Sequence, residues 1–327
     1  MGKPGSPLVS VVVAIVSDTT GHADTAHLES CLSALVEQSV GRAEIIVPYH
    51  PAVEGIERLR SRFPTVGFLK VTDLRTYTGQ HNSREHHDEL RARGLAEAHG
   101  EIVALIEDHG IPAPDWIARV TEAHGDPVAA VGGAIENGID RPLNWAVYFC
   151  DFLRYQNPLP EGETFTVSDA NAAYKRAALD SIRTVWQEVF SESLVNEALR
   201  ARGEKLVLAP LAVISQRRQG LRLRAALQER YVWGRSYAAT RVKLTSTGRR
   251  VFWAAFAPAL PLLMVARMTL MAWKKRRTLG SFLKALPLTA ALSVSWSCGE
   301  FIGCLTGRPH SGGRTADALV RGSRGAC

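Results

Sequence analysis

The chain has 327 residues, 46% of them hydrophobic and 22% charged, which argues against a disordered or fibrous chain and is enough for one large globular domain with an appendage or for two small domains. Its five cysteines are odd in number and form no CxxC pair, which argues against a disulfide framework or a zinc site and for reduced thiols in a cytosolic compartment. The net charge of +7 is concentrated in residues 217–250 and in Lys274-Lys275-Arg276-Arg277; both blocks flank long apolar runs, so the partner they indicate is an anionic membrane surface rather than nucleic acid.

Leu8–Val16 is an apolar, β-branched run with no cleavage site after it, and predicts a buried strand rather than a signal sequence. Ala26–Gln38 places Leu28, Cys31, Leu32 and Leu35 at helical spacing. Glu44–Pro48 predicts a second strand, Gly55–Phe63 a helix and Val66–Val71 a third strand. Residues 84–99 predict a helix closed by Gly100. Ile102–Ile106 is a fully apolar strand ending in Glu107-Asp108-His109. A helix at 115–124 and a strand at Val128–Ala134 follow. This alternation predicts an α/β fold with a mostly parallel sheet and helices on both faces, whose ligands bind beyond the carboxyl ends of the strands. Segment 141–164, rich in aromatics, Pro and Asn, reads as a loop or lid. Residues 166–183 and 186–203 each read as a turn followed by a helix. Leu206–Ser215 is the last strand, and 221–241 reads as a basic helix.

Glu107-Asp108-His109 is the segment with the clearest chemistry. A carboxylate at the tip of a buried strand is costly without a partner or a role. Two carboxylates and an imidazole can hold a divalent cation and touch a ribose; the same residues also make a solvated turn before a helix capped by Asp115. His81, His86 and His87 are a weaker cluster, since adjacent helical residues point apart.

Taken in order, several segments resemble the family 2 glycosyltransferases. Val9–Val13, Leu28–Leu35 with Gln38, and Glu44–Val47 are similar to that family's first βαβ unit. Arg91–Gly100 and Glu101–Ile106 are similar to the helix and strand before its DxD-type motif, where Glu107-Asp108-His109 stands. Ser168–Arg176 resembles the loop before its acceptor-side helix. Ser191-Glu192, with Gly203 and Pro210 after it, resembles the region of its general base.

The resemblance covers about residues 8–216 and implies a GT-A fold. It implies Glu192 as catalytic base; Glu107, Asp108, Arg91, Ser168 and Asn171 as contacts to a nucleotide-diphosphate sugar; and Asp108 and His109 as ligands of a divalent metal, Mn2+ or Mg2+. The implied reaction is an inverting transfer of one sugar to a lipid-linked or membrane-proximal hydroxyl, as in assembly of a cell-envelope polysaccharide. The chain departs from the family at Pro48-Tyr49-His50-Pro51, at His109 and at Gln216, and carries only a loose likeness, at 228–233, to the signature of processive members. Those departures motivate a second reading, a catalytically inactive membrane-anchored nucleotide-sugar-binding or scaffold protein.

Val251–Trp273 and Ala285–Leu305 are apolar except for Arg267 and Glu300. Each is about 20 residues long, enough to cross roughly 30 Å of hydrocarbon. Two spans would place Lys274–Arg277 outside, against the positive-inside rule, and Pro258 and Pro261 interrupt the first segment. A re-entrant or interfacial hairpin keeps every basic block on the cytoplasmic side. The expected organisation is an N-terminal arm at 1–7, a GT-A domain at 8–216, a basic helical linker at 217–250, membrane-associated helices at 251–307 and a flexible basic tail at 308–327. The expected location is the inner or plasma membrane, with the catalytic domain cytoplasmic.

Overall fold

The computed structural model describes residues 8–17, 25–39, 43–75, 84–125, 127–243 and 245–308. The expected arm at 1–7, the tail beyond 308 and His81 lie outside the described residues. In chain order the elements are β1 (Val9–Ala14), α1 (Thr25–Val36), β2 (Ala43–Tyr49), α2 (Ile56–Arg62), β3 (Gly67–Lys70), α3 (Arg84–Glu97), β4 (Ile102–Glu107), β5 (Gly110–Pro112), α4 (Trp116–Ala123), β6 (Val128–Asn137), α5 (Pro142–Asp151), β7 (Gly162–Thr164), β8 (Asn171–Lys175), α6 (Arg176–Ser181), α7 (Arg183–Trp186), α8 (Glu192–Ala201), β9 (Lys205–Gln216), α9 (Leu223–Lys243), α10 (Thr247–Phe256), α11 (Leu260–Lys275) and α12 (Leu279–Thr306). The described residues within Met1–Leu74, Glu85–Gly138 and Tyr155–Arg218 form one compact unit; those within Arg75–Arg84, Ile139–Arg154 and Gln219–Cys327 form a second.

The first unit is built on a sheet that, among the described residues, has nine strands in the order β3-β2-β1-β4-β8-β6-β9-β5, with β7 on β9. The strand period of two sends alternate side chains to opposite faces. Val9, Val11, Val13, Ala104 and Ile106 face one layer, where they meet Leu28, Leu32 and Leu35 of α1, Leu59 of α2 and Trp116 of α4. Val12, Val103 and Leu105 face the other, against Ala92 and Leu95 of α3 and Leu179, Trp186 and Leu199 of α6–α8. Both faces are covered, which is why β1 and β4 are apolar at every position but their polar ends and Ser10.

The sheet is parallel across β3, β2, β1 and β4. Beyond β4 it is mixed: β8 runs antiparallel to both β4 and β6, and β5 and β7 run antiparallel to β9. The expectation of a mostly parallel sheet therefore holds for its first half only. The inserted strand β8 was read as part of a turn, because Asn171-Ala172-Ala173-Tyr174-Lys175 is poor in strand-forming residues and is fixed by its two neighbours.

The helix expected to run to Gly100 ends at Glu97, and glycine is needed at position 100 for a reason other than helix closure. The Gly100 N–H donates to Ser10 Oγ at 2.6 Å, and an added Cβ would lie 2.5 Å from the Ser10 backbone nitrogen. Close approach to β1, not a left-handed turn, requires glycine there.

The second unit is helical. Segment 141–164, expected as a loop, contains α5, which starts with Pro142 at its first turn and buries Ala146, Val147, Tyr148 and Phe149. Two ion pairs, each with one buried and one partly buried partner, hold the unit: Arg230 bonds both Asp151 oxygens, and Arg241 bonds Glu300. The basic stretch is thus not wholly a solvated face, since Arg230 is 3% exposed. Among the described residues, Thr247–Lys275 and Leu279–Thr306 are helical stretches long and apolar enough, by length and composition, to cross a membrane. A short 3-10 turn at Ala257–Ala259 separates α10 from α11, with Pro258 inside it and Pro261 in the first turn of α11.

Candidate active site

β1 and β4 end side by side, with Ala14 paired to Glu107. β8 begins at the same level, Asn171 opposite Ile106, and β9 finishes there with Gln216 opposite Gly110. The turn after β4 and the loop before β8 therefore meet at one end of the sheet, as expected for a ligand site of an α/β fold.

Glu107 is the centre of the cluster. Its Oε1 lies 3.2 Å from Arg91, and its Oε2 accepts from Gln216 at 3.3 Å and lies 3.3 Å from His109 Nε2. Burial pushes the Glu107 carboxyl up, against the pull of His109 and Arg91. Arg91 is 3% exposed and also pairs with Asp88 at 2.8 Å and Asp169 at 3.4 Å. One guanidinium thus gathers carboxylates from α3, from the end of β4 and from the loop before β8.

Asp108 is turned the other way. It is fully buried; its oxygens accept from the Val16 N–H at 3.1 Å and from Ser17 Oγ, and one lies 3.2 Å from His109 Nδ1. Burial alone would raise this carboxyl, but the hydrogen bonds from His109, Ser17 and Val16 outweigh it and hold the group below the usual range. Asp108, expected as both a nucleotide contact and a metal ligand, here fixes the chain beyond β1 and orients the imidazole.

Asn171 is likewise committed to the scaffold. Its Nδ2 donates to the Ala134 and Ala212 carbonyls and its Oδ1 accepts from Trp116 Nε1, all at 2.9 Å. Both amide hydrogens and one lone pair of Oδ1 are used between elements of the sheet, which leaves the second lone pair of Oδ1 for a ligand. Ser168 is buried three residues earlier, its carbonyl accepting from the Asn171 N–H at 2.9 Å. The helix after the acidic turn has Asp115 at its cap position, yet Asp115 makes no cap bond and pairs with Arg119 instead. Gln38 supplies the cap, accepting from the Ile117 N–H at 2.9 Å.

Glu192 opens α8 and is half-buried; its Oε2 accepts from the Asp169 N–H at 3.1 Å. The expected base and the expected donor carboxylate are therefore linked as Glu107–Arg91–Asp169–Glu192. The sequence reading missed Asp88 and Asp169 as partners, though Asp88 stands three residues before Arg91 on one helix, the spacing of a facing pair. Gln216 was noticed only as a departure, and it is in the cluster.

The cluster carries the carboxylates of Asp88, Glu107, Asp108, Asp169 and Glu192 against Arg91 and His109. Among the described residues no three His, Cys, Asp or Glu side chains form a ready-made metal cage. Glu107 and His109 do converge, and a carboxylate with an imidazole is a fitting pair for a divalent ion whose remaining ligands come from a diphosphate and water.

The chain carries a family 2 glycosyltransferase domain: residues 22–183 match the family model for Glycosyl transferase family 2. It is a glycosyltransferase, and the GT-A fold class expected from its sequence is borne out. Among solved structures it is similar to the mannosyltransferase PcManGT from Pyrobaculum calidifontis in complex with GDP-Man and Mn2+, at 17% identity and a TM-score of 0.46, covering 98% of this chain and 80% of that one. It is also similar to GalNAc-T7 with UDP, GalNAc and Mn2+, at 12% identity and a TM-score of 0.44, covering 68% of this chain and 46% of that one. A search of curated proteins finds no match.

Proposed function

We propose that the enzyme transfers one sugar, with inversion, from a nucleotide-diphosphate sugar to a hydroxyl acceptor that is lipid-linked or lies close to a membrane. The observation that carries this reading is the chain of contacts from Glu107 through Arg91 and Asp169 to Glu192, which ties a diphosphate-side carboxylate to a half-buried carboxylate beside it.

In this reading Glu192 takes the proton of the acceptor hydroxyl while the acceptor oxygen bonds to the anomeric carbon. The bond from that carbon to the diphosphate breaks on the opposite face, so configuration inverts. The Asp169 N–H holds one Glu192 oxygen and so orients the carboxylate that receives the proton. Asp88, Glu107 and Asp169 hold Arg91 rigid, which keeps the two carboxylate positions fixed relative to each other. Glu107 and His109 are the residues that would hold a divalent cation, Asp108 acting behind them by orienting the His109 ring. Such a cation, when bound, supplies charge neutralisation at the diphosphate.

The apolar helices and basic blocks of the second unit support a membrane location with the catalytic domain on the cytoplasmic face. The test is turnover of a panel of nucleotide sugars by the full chain, with and without Mn2+ or Mg2+. Transfer or hydrolysis that is lost in Glu192→Gln while donor binding persists is the expected result. Donor binding without turnover in the unmodified protein would favour the scaffold reading, and neither binding nor turnover would overturn both.

A further inference from the structure

The two apolar helical stretches are long enough to cross a bilayer, but both ends of α12 are held by segments that cannot lie on opposite sides of one. At its start, Phe282 is fully buried with its ring 5.1 Å from that of Phe149 in α5, and Lys275, just before the hairpin turn, donates to the Arg154 carbonyl at 3.4 Å. At its far end, Glu300 pairs with Arg241 of α9, and Arg250 donates to the Cys304 carbonyl at 2.6 Å. α9 follows β9 after six intervening residues and carries Arg224, Glu229, Arg230, Arg235 and Arg241, too many charges for a bilayer span.

α5 lies in a short excursion, residues 139–154, between β6 and the segment leading to β8, and β6 and β8 are paired in one sheet. Ten of those residues are helical, about 15 Å of path, and the other six add about 20 Å if extended. Crossing roughly 30 Å of hydrocarbon and returning needs about 60 Å. The excursion is therefore too short to cross a bilayer and return, so α5, and the start of α12 packed on it, cannot lie across a bilayer from the two ends of the excursion.

The surface of the hairpin is that of an interfacial element. Phe252, Leu262, Leu263, Leu270 and Trp273 are exposed large apolar residues. Arg267 is exposed four residues after Leu263 and three before Leu270, on the same helical face. Residues 230–299 contain twelve Lys and Arg and no Asp or Glu. A second copy would bring the same positive charge against this face, whereas an anionic lipid surface complements both its apolar and its basic residues.

We propose that α10, α11 and α12 form a hairpin that does not cross the bilayer and that seats the enzyme on an anionic phospholipid surface, with Lys274–Arg277 on the same side as the catalytic unit. This rests on the membrane location argued above but not on the reaction.

The test has two arms, both on the full chain. In membrane vesicles of known orientation, an Arg276→Cys variant in a background carrying Cys298→Ser and Cys327→Ser is labelled with an impermeant maleimide, beside an Arg202→Cys reference in the same background; trypsin cleavage at 274–277 of the unsubstituted protein gives the same readout without engineered thiols. Labelling or cleavage from the side that labels position 202 is expected, and access from the opposite side overturns the proposal. In the second arm the protein is floated with phosphatidylcholine vesicles with or without phosphatidylglycerol. Preferential flotation with the anionic vesicles, falling at least about tenfold on joint Lys274→Glu and Arg277→Glu substitution, is expected. Equal flotation with both, or a salt-resistant dimer that floats with neither, overturns it. Nucleotide-sugar turnover is measured on the same samples, so loss of the reaction and loss of the lipid surface read out separately.

Discussion

The backbone N–H of Asp169 donates to Glu192 Oε2 at 3.1 Å, while the Asp169 carboxylate lies 3.4 Å from Arg91. A single residue thus holds the candidate base with its main chain and the charge network with its side chain. The loop before β8 is short enough that these two contacts cannot move independently.

Glu192→Gln keeps the acceptor for the Asp169 N–H in its amide oxygen but removes the proton acceptor. Turnover should fall by about 10²–10⁴-fold with donor affinity little changed. Steady-state rates alongside donor binding by calorimetry check this; parallel loss of both would mean that Glu192 serves the fold or the donor rather than the proton.

Arg91→Met leaves Asp88, Glu107 and Asp169 without their shared cation in a site where Arg91 is 4% exposed at its side chain. A loss of about 3–5 kcal/mol is expected, the range for breaking a buried pair from one side. Removing the cation raises the affinity of these carboxylates for protons, so the deficit should shrink as pH falls. Thermal melts of both proteins at mildly acidic and mildly alkaline pH test the sign.

Asp108 has its folded-state pKa below the unfolded value. Its contribution to stability is complete above the ordinary carboxylate range and is lost as pH falls through the depressed folded value. Asp108→Asn should therefore cost about 1–3 kcal/mol near neutrality and progressively less in acid. Urea unfolding from pH 3 to 7 measures the difference; a constant gap would show that geometry, not charge, is what Asp108 supplies.

Trp116→Phe removes the N–H that satisfies Asn171 Oδ1 inside the sheet. The unpaired buried acceptor should lower stability by about 1–3 kcal/mol while leaving donor binding intact. A change in donor affinity larger than the change in stability would return Asn171 to the ligand contacts.

Much of the fold was legible because buried parallel strands write themselves as apolar runs: Val9–Val13 and Ile102–Ile106 needed no context. β8 was not, because two alanines and an asparagine become a strand only when β4 and β6 offer their edges. In the site, Glu107 and His109 stand out at a strand end and Arg91 is implied by the family resemblance, and the three do come together. Asp108 was grouped with them because neighbours in sequence look alike on paper, yet adjacent residues at a strand end point in opposite directions. Gln38 could not be foreseen as the cap of a helix almost eighty residues away, since a cap bond of that kind exists only after the sheet has formed.

The late arrival of β8 in the chain has a consequence during synthesis. Until residues 171–175 have emerged, β4 has one open edge and β6 has two, and β6 keeps one until β9 follows at 205–216. Unpaired apolar strands of this kind are templates for pairing with other chains. A nascent or truncated chain ending before the middle of its sequence should therefore aggregate where the full-length enzyme stays dispersed, and stalled or frameshifted products would burden the chaperones of any host that overexpresses it.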